Sequence, residues 1–221
     1  MSDHKFYRNV GKRILDFTLS LVGLILISPV FVVLMILVRV KLGSPVFFHQ
    51  DRPGRNGKVF RLLKFRSMTD AKDAQGNLLP DEERLTHFGR ILRSTSLDEL
   101  PEFLNILRGD MSIVGPRPLL VKYLPYYTEE EMHRHDIRPG LTGLAQVNGR
   151  NTIGWEQRFR YDLEYVRNVS FSMDWRIVKA TVGKVVHHSD VLSGTEQTTI
   201  DFDLYRKQQG MKPIRKIEPY L

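Results

Sequence analysis

The chain has 221 residues, 42% of them hydrophobic, enough for one ordinary core and short for a second full domain. A formal charge of +8 and a pI near 9.7 point to an anionic partner: nucleic acid, a nucleotide, or the negative face of a membrane. With no cysteine, disulfides, thiolate metal sites and cysteine nucleophiles are excluded, and any metal must be held by oxygen or imidazole.

From Phe17 to Val38 the sequence carries no charge and is long enough to cross a bilayer. Lys5, Arg8, Lys12 and Arg13 precede it; Arg39, Lys41 and a basic series from Arg52 to Arg66 follow it. The positive-inside rule then wants both ends in the cytoplasm. No small-residue cleavage site follows the run, so it reads as a retained anchor rather than a signal peptide. Ser28-Pro29 lies mid-run. Proline removes one backbone donor and crowds the carbonyl four residues earlier, and a serine hydroxyl can bond a carbonyl that lipid cannot satisfy. The segment alone leaves two topologies open: a re-entrant helix broken at Ser28-Pro29, and a straight transmembrane helix kinked at the proline.

Pro45 to His49 and Val59 to Phe65 are β-prone runs around the turn-rich Asp51 to Gly57, a hairpin-like pair. The polar stretch Thr69 to Arg84 is linker-like. Apolar residues then recur at helical spacing over Leu85–Arg93, Leu97–Leu107, Trp155–Val166 and Trp175–Val186. The last two carry tryptophan together with Arg158, Arg160, Arg167 and Arg176, Lys179, Lys184, a pattern suited to helices lying in a membrane interface. The fold expected is α/β and mainly helical: a membrane helix-break-helix followed by a small domain with one short β-hairpin and interfacial amphipathic helices.

The densest group of chemically special residues runs from Arg93 to Pro118, with the adjacent acids Asp98-Glu99 at its heart. Ser96 to Glu99 matches a capping box, and acids in a first helical turn favour the helix dipole, so spacing alone favours a structural role. Pro101 sits badly with that cap, because it falls one turn inside. The functional alternative is a helix N-terminus that gathers phosphate beside carboxylates able to hold magnesium and to form an acyl phosphate. Lys64, Arg66, Arg93, Arg117, Arg138 and Arg150 supply candidate cations, Arg117 being framed by two prolines that pre-orient it. No P-loop, G-x-G-x-x-G or G-x-S-x-G occurs, and His133, His135, His187 and His188 lack further ligands at metal spacing.

These residues resemble the bacterial sugar transferase family, the monotopic polyprenyl-phosphate phosphoglycosyl transferases. The likeness runs from about Tyr7 to about Thr199. It rests on Lys12-Arg13-Ile-Leu-Asp16, Ser28-Pro29, Gln50-Asp-Arg-Pro-Gly, Lys64-Phe-Arg-Ser-Met, Arg93 through Pro101, Gly109-Asp-Met-Ser-Ile-Val-Gly-Pro-Arg-Pro and Arg138-Pro-Gly-Leu-Thr-Gly-Leu-Ala-Gln-Val-Asn-Gly-Arg150, in order. The resemblance implies a re-entrant helix and an active site at the cytoplasmic face of the bacterial inner membrane. It implies Asp98 as nucleophile on the β-phosphorus of a UDP-sugar, with release of UMP and passage of the sugar phosphate to polyprenyl phosphate in a ping-pong cycle. Glu99 is the dyad partner, and a magnesium ion near Asp98 offsets phosphate charge. Lys64, Arg93, Arg117, Arg138 and Arg150 are expected to bind substrate, and Asp162 is added to that set.

The chain resembles the short form of that family, which implies an N-acetylated amino sugar and leaves galactose or glucose phosphate transfer open. The domain plan is a membrane region at 1–41, a catalytic domain at 42–200, and a basic tail at 201–221 that matches nothing. Partners implied are the UDP-sugar, polyprenyl phosphate and membrane lipids in glycan assembly, without nucleic acid, the chain being a monomer or homodimer. The competing reading is an inactive membrane-tethered scaffold.

Overall fold

The computed structural model describes residues 5–149, 152–187 and 200–214. A π-helical turn, Tyr7–Gly11, leads into the long helix α1, Lys12–Leu42, with Pro29 inside it. The helix-break-helix expected at Ser28-Pro29 is corrected in one respect: the helix is continuous. The reason is local. Ser28 Oγ donates to the Ile25 carbonyl at 2.8 Å, the acceptor that Pro29 leaves without its amide, so the proline needs no unwound residues.

The buried positions of α1 fall in two sets at four-residue steps, Lys12, Asp16 and Ser20, then Leu34, Val38 and Leu42. Its most apolar stretch is only 11% buried, and Leu26 at the middle is 74% exposed. Among the described residues it is the one helix long and apolar enough to cross a membrane. Its two ends are fastened differently. At the first, Lys12 pairs with Asp174 at 2.6 Å, and Asp16 accepts from Ser112 Oγ and the Ile113 amide. At the second, Leu34, Val38 and Leu42 pack on Phe65 and Leu92.

Strands β1, Phe47–Pro53, and β2, Val59–Phe65, form the expected antiparallel hairpin, paired from Phe47↔Phe65 to Pro53↔Val59. Asp51 and Arg52 belong to the strand rather than the turn, which is confined to Gly54–Lys58. Helix α2, His87–Ser94, is capped by Thr86, whose hydroxyl accepts from the Gly89 amide. Helix α3, Glu102–Arg108, lies on β2, pinned by the fully buried Asn105, which accepts from the Leu63 amide and donates to the Arg61 carbonyl. A second sheet was not foreseen: β3, Ser112–Val114, and β4, Gly140–Thr142, pair in parallel. Glycine is required there, since a Cβ on Gly140 would stand 2.0 Å from the Gly115 amide nitrogen.

Helices α4, Trp155–Arg167, α5, Phe171–His187, and α6, Phe202–Gln208, complete the body. The interfacial expectation divides between the first two. Trp155, Phe159, Leu163 and Val166 of α4 are buried, which makes it a core helix. In α5, Phe171, Trp175 and Val182 are more than half exposed, with Lys179 lying over the Trp175 ring. The basic tail placed at 201–221, which matches nothing in the sequence, is anchored on the body as far as residue 214. Phe202 is fully buried in an aromatic cluster with Tyr123, Tyr127, Trp155 and Phe159, Arg206 pairs with Glu131, and the Ile214 amide reaches the Pro125 carbonyl.

Candidate active site

The chain leaves α2 through Thr95 and turns at Ser96, whose φ of 56° lies in the left-handed region, at a cost of about 1–2 kcal/mol for a residue with a Cβ. That reversal presents a single 3-10 turn, Leu97–Glu99, and α3 starts only after Pro101. The capping box read from Ser96 to Glu99 does not form. Ser96 makes no cap hydrogen bond, and the Glu99 carboxylate turns to cations instead. Splitting the segment also removes the clash expected at Pro101, which now stands before the first helical residue, where its missing N–H is not needed.

Lys64, on β2, places its Nζ 2.6 Å from Glu99 Oε1 and 3.3 Å from Glu102 Oε1. Arg117 Nη2 meets the same Glu99 oxygen at 2.8 Å. Arg93, at the end of α2, donates to Ser67 Oγ at 2.9 Å and acts electrostatically on Asp98. Arg52, from β1, lies beside Arg117 and donates to the Pro118 carbonyl. Among the described residues neither Arg93 nor Arg52 has a carboxylate within ion-pair distance. Lys64, Arg52, Arg93 and Arg117 thus face Asp98, Glu99 and Glu102, and the cleft keeps a positive excess even with every carboxylate ionised.

The three acids differ sharply. Glu99 is buried, which would raise its pKa, yet Arg117 and Lys64 hold it well below the usual carboxylate range. Glu102 is pushed up to about 7 by burial and by Glu99, Lys64 opposing. Asp98 is raised above its ordinary value, chiefly by burial, against the pull of Lys64, Arg93 and Arg117. It is 8% exposed and makes no hydrogen bond or ion pair among the described residues. A desolvated, unpartnered carboxylate among guanidinium and ammonium groups is equipped to attack an electrophile whose leaving group is anionic.

Of the residues singled out in the sequence, the fold brings Lys64, Arg93, Asp98, Glu99 and Arg117 together. Arg138 is elsewhere: its Nε donates to the Gly109 carbonyl at 2.7 Å, beyond the C-terminal end of α3, with Arg13 and Arg55 for neighbours. Asp162 is 1% exposed and bonded twice to Arg134, at 2.8 and 3.1 Å, so it supports the site from behind rather than lining it. Arg150 lies outside the described residues. Reading the sequence missed Glu102, Arg52 and Arg134. Glu102 is four residues after Asp98 and Arg52 stands in the quoted Gln-Asp-Arg-Pro-Gly, so both were within reach; nothing in the sequence marked Arg134.

For magnesium the donor set is sparse but adequate. No group of three or more metal-binding side chains occurs among the described residues, and Glu99 and Glu102 are engaged by Lys64 and Arg117. Asp98 is left as a single free carboxylate, and magnesium is commonly held by one or two carboxylates plus substrate phosphates.

The profile of the family described as bacterial sugar transferase matches residues 7–188. The chain is 53% identical to the uncharacterized sugar transferase EpsL of Bacillus subtilis, covering 85% of this chain and 91% of that one. It is 38% identical to the exopolysaccharide production protein ExoY of Sinorhizobium fredii, over 80% of this chain and 85% of the other. It is 43% identical to the UDP-glucose:undecaprenyl-phosphate glucose-1-phosphate transferase of Klebsiella pneumoniae, over 79% of this chain but only 40% of that longer protein. With the acidic turn, its cations and the apolar helix in their places, the chain belongs to the bacterial sugar transferase family and is a phosphoglycosyl transferase.

Proposed function

We propose that this enzyme transfers a sugar 1-phosphate from a UDP-sugar to polyprenyl phosphate, through a covalent intermediate on Asp98, at the cytoplasmic face of the bacterial inner membrane. The observation that carries the reading is the contrast within the dyad: Glu99 is gripped by Lys64 and Arg117 while the adjoining Asp98 carboxylate is buried and unpartnered. An oxygen of Asp98 attacks the β-phosphorus, the bond to the bridging oxygen breaks, and UMP leaves with that oxygen. An oxygen of polyprenyl phosphate then attacks the same phosphorus and displaces Asp98, which returns as a free carboxylate. Both nucleophiles are already anionic, so neither step needs a general base. Lys64, Arg93 and Arg117 set the field that favours the crowded phosphate charge. Asp98, with substrate phosphates, would hold magnesium, which supplies further charge neutralisation when bound.

Membrane topology follows the same logic. If α1 were straight and spanned the bilayer, Asp16 and Val38 would lie about 33 Å apart, the full depth of the hydrocarbon layer. Yet Asp16 bonds Ser112 and Val38 packs on the Phe65 and Leu92 cluster, both parts of one body that must stay on one side. This supports a helix that dips into the membrane and returns, its exposed middle around Ser28-Pro29 inserted and both chain ends cytoplasmic. The exposed apolar side chains of α5 beside Lys179 suit the lipid surface around it.

An N-acetylated amino sugar is the first candidate donor; the relatives named for glucose and galactose transfer make those the other sugars to compare. The test is UMP release from a panel of UDP-sugars with magnesium and polyprenyl phosphate. Wild type should release UMP and Asp98→Asn should not. Equal behaviour of the two proteins, or partner capture by a wild type inert to every sugar, would overturn the proposal in favour of a scaffold.

A further inference from the structure

A buried arginine outside the cleft bonds the backbone of Arg117. Arg134, in the 3-10 turn His133–His135, is 2% exposed, and its guanidinium forms two bonds to Asp162 and one, at 2.8 Å from Nη2, to the backbone carbonyl of Arg117. The rings of Tyr127 and Phe159, whose centroids are 5.4 Å apart, lie together on one side of its Cζ at 5.7 and 5.8 Å. Phe202, from α6, packs on both rings, at 5.2 and 5.0 Å, and closes the cage from a segment beyond the part of the chain that the family profile matches. The next carbonyl, that of Pro118, is held by Arg52 Nη1. Two arginines therefore fasten two consecutive carbonyls of a Pro-Arg-Pro segment whose own dihedral freedom is already small. From this segment the Arg117 side chain reaches Glu99 at 2.8 Å.

We infer that Arg134 is a positioning residue for phosphoryl transfer: with Asp162 and the aromatic cage it fixes the backbone of Arg117, so that the Arg117 guanidinium stands between Glu99 and the incoming diphosphate. The inference rests on the transfer reaction proposed above. A lysine cannot substitute, because the arrangement uses a planar guanidinium whose Nε and Nη2 both donate to one Asp162 oxygen while Nη2 also donates to the Arg117 carbonyl, beside two aromatic rings. Burial is what makes the contact effective. In solvent the carbonyl of Arg117 would exchange its partner with water; here its donor, Arg134, is buried.

The experiment is a double-mutant cycle on the full chain in lipid nanodiscs, read by UMP release with kcat and KM for the UDP-sugar determined separately. Arg134→Lys should lower kcat by about 10- to 100-fold, the scale set by a misplacement near 1 Å, while KM changes by less than about threefold. In an Arg117→Lys background the same change should cost nothing further, because Arg134 acts only through Arg117. If Arg134→Lys fails to fold, Asp162→Asn, which keeps the shape and removes the charge, takes its place in the cycle with the same expectation. Losses that multiply in the double variant, or a loss confined to thermal stability with kcat unchanged, overturn the inference while leaving the transferase reading intact. A wild type that releases no UMP from any sugar overturns both.

Discussion

Glu102 offers a test of the cleft's electrostatics that does not touch Asp98, the nucleophile proposed above. Its side chain is 3% exposed, it shares the Lys64 ammonium with Glu99, and burial together with Glu99 raises it from 4.5 to about 7. The folded protein therefore keeps a proton on Glu102 up to about pH 7, whereas the unfolded chain releases it near 4.5. Between those values the folded state binds more protons, so this group's contribution falls as pH rises through the window and is flat on either side. At about 1.4 kcal/mol per decade, the gap amounts to roughly 3 kcal/mol of lost stability above the window. Glu102→Gln removes the titration yet keeps an oxygen for Lys64. The variant should match wild type at about pH 4 and exceed it at about pH 8 by up to roughly 3 kcal/mol, or about 6–12 °C in Tm for a chain of this size. Thermal unfolding of both proteins in the same nanodiscs across that range measures the difference, from which all groups common to the two cancel. Melting curves that stay parallel from pH 4 to 8 would refute the reasoning, because Glu99 and Glu102 would then not be competing for one ammonium.

Three further outcomes follow from particular contacts. Asp174 accepts from Tyr7, Lys12 and Tyr165 at 2.5–2.6 Å, so Asp174→Asn leaves a buried ammonium with only a distant carboxylate and should cost about 3–5 kcal/mol, seen as a lower Tm and easier proteolysis near α1. Gly140→Ala would drive a Cβ into the Gly115 backbone and separate β3 from β4, a loss of at least about 2 kcal/mol by chemical denaturation. Removal of divalent ions with a chelator should stop UMP release, and added magnesium should restore it without any change in the far-UV circular dichroism.

Much of this site was legible because its parts lie on a few short motifs. Lys64, Arg93, Asp98, Glu99 and Arg117 meet around one turn, and each sits in a run of residue types that stands out in the sequence. The hairpin was legible for a similar reason: alternation and a glycine-rich turn are local signals. What failed was non-local. The parallel pair β3–β4 joins three-residue strands separated by 25 intervening residues, too short to show a period. Arg134 reads as one more surface base in a polar stretch, and only the fold reveals that Asp162 and two aromatic rings enclose it. Asp162, expected to bind substrate, is bonded to Arg134 instead, and a lone acid on a helix gives no sign of whether it faces substrate or another side chain. The anchoring of the segment from 201 to 214 was not legible because it depends on Phe202 finding a cavity built from Tyr123, Tyr127, Trp155 and Phe159.

The capping-box reading of Ser96 to Glu99 failed in a way that explains the chemistry. A true box would have tied Glu99 to the Ser96 amide and started the helix at Leu97, leaving Lys64 and Arg117 without their shared carboxylate. The left-handed Ser96 and the delay of α3 to Glu102 free Glu99 to collect both cations instead. Glu99 is thereby committed electrostatically, and a carboxylate oxygen that already accepts from an ammonium and a guanidinium has little electron density to offer phosphorus. Asp98, one residue earlier on the same turn, feels those cations only through space and keeps its oxygens unshared. The division of labour between two adjacent acids thus follows from which of them the strained turn aims at Lys64 and Arg117. Exchanging their order, Asp98→Glu with Glu99→Asp, should abolish transfer even though the charge of the cleft is unchanged.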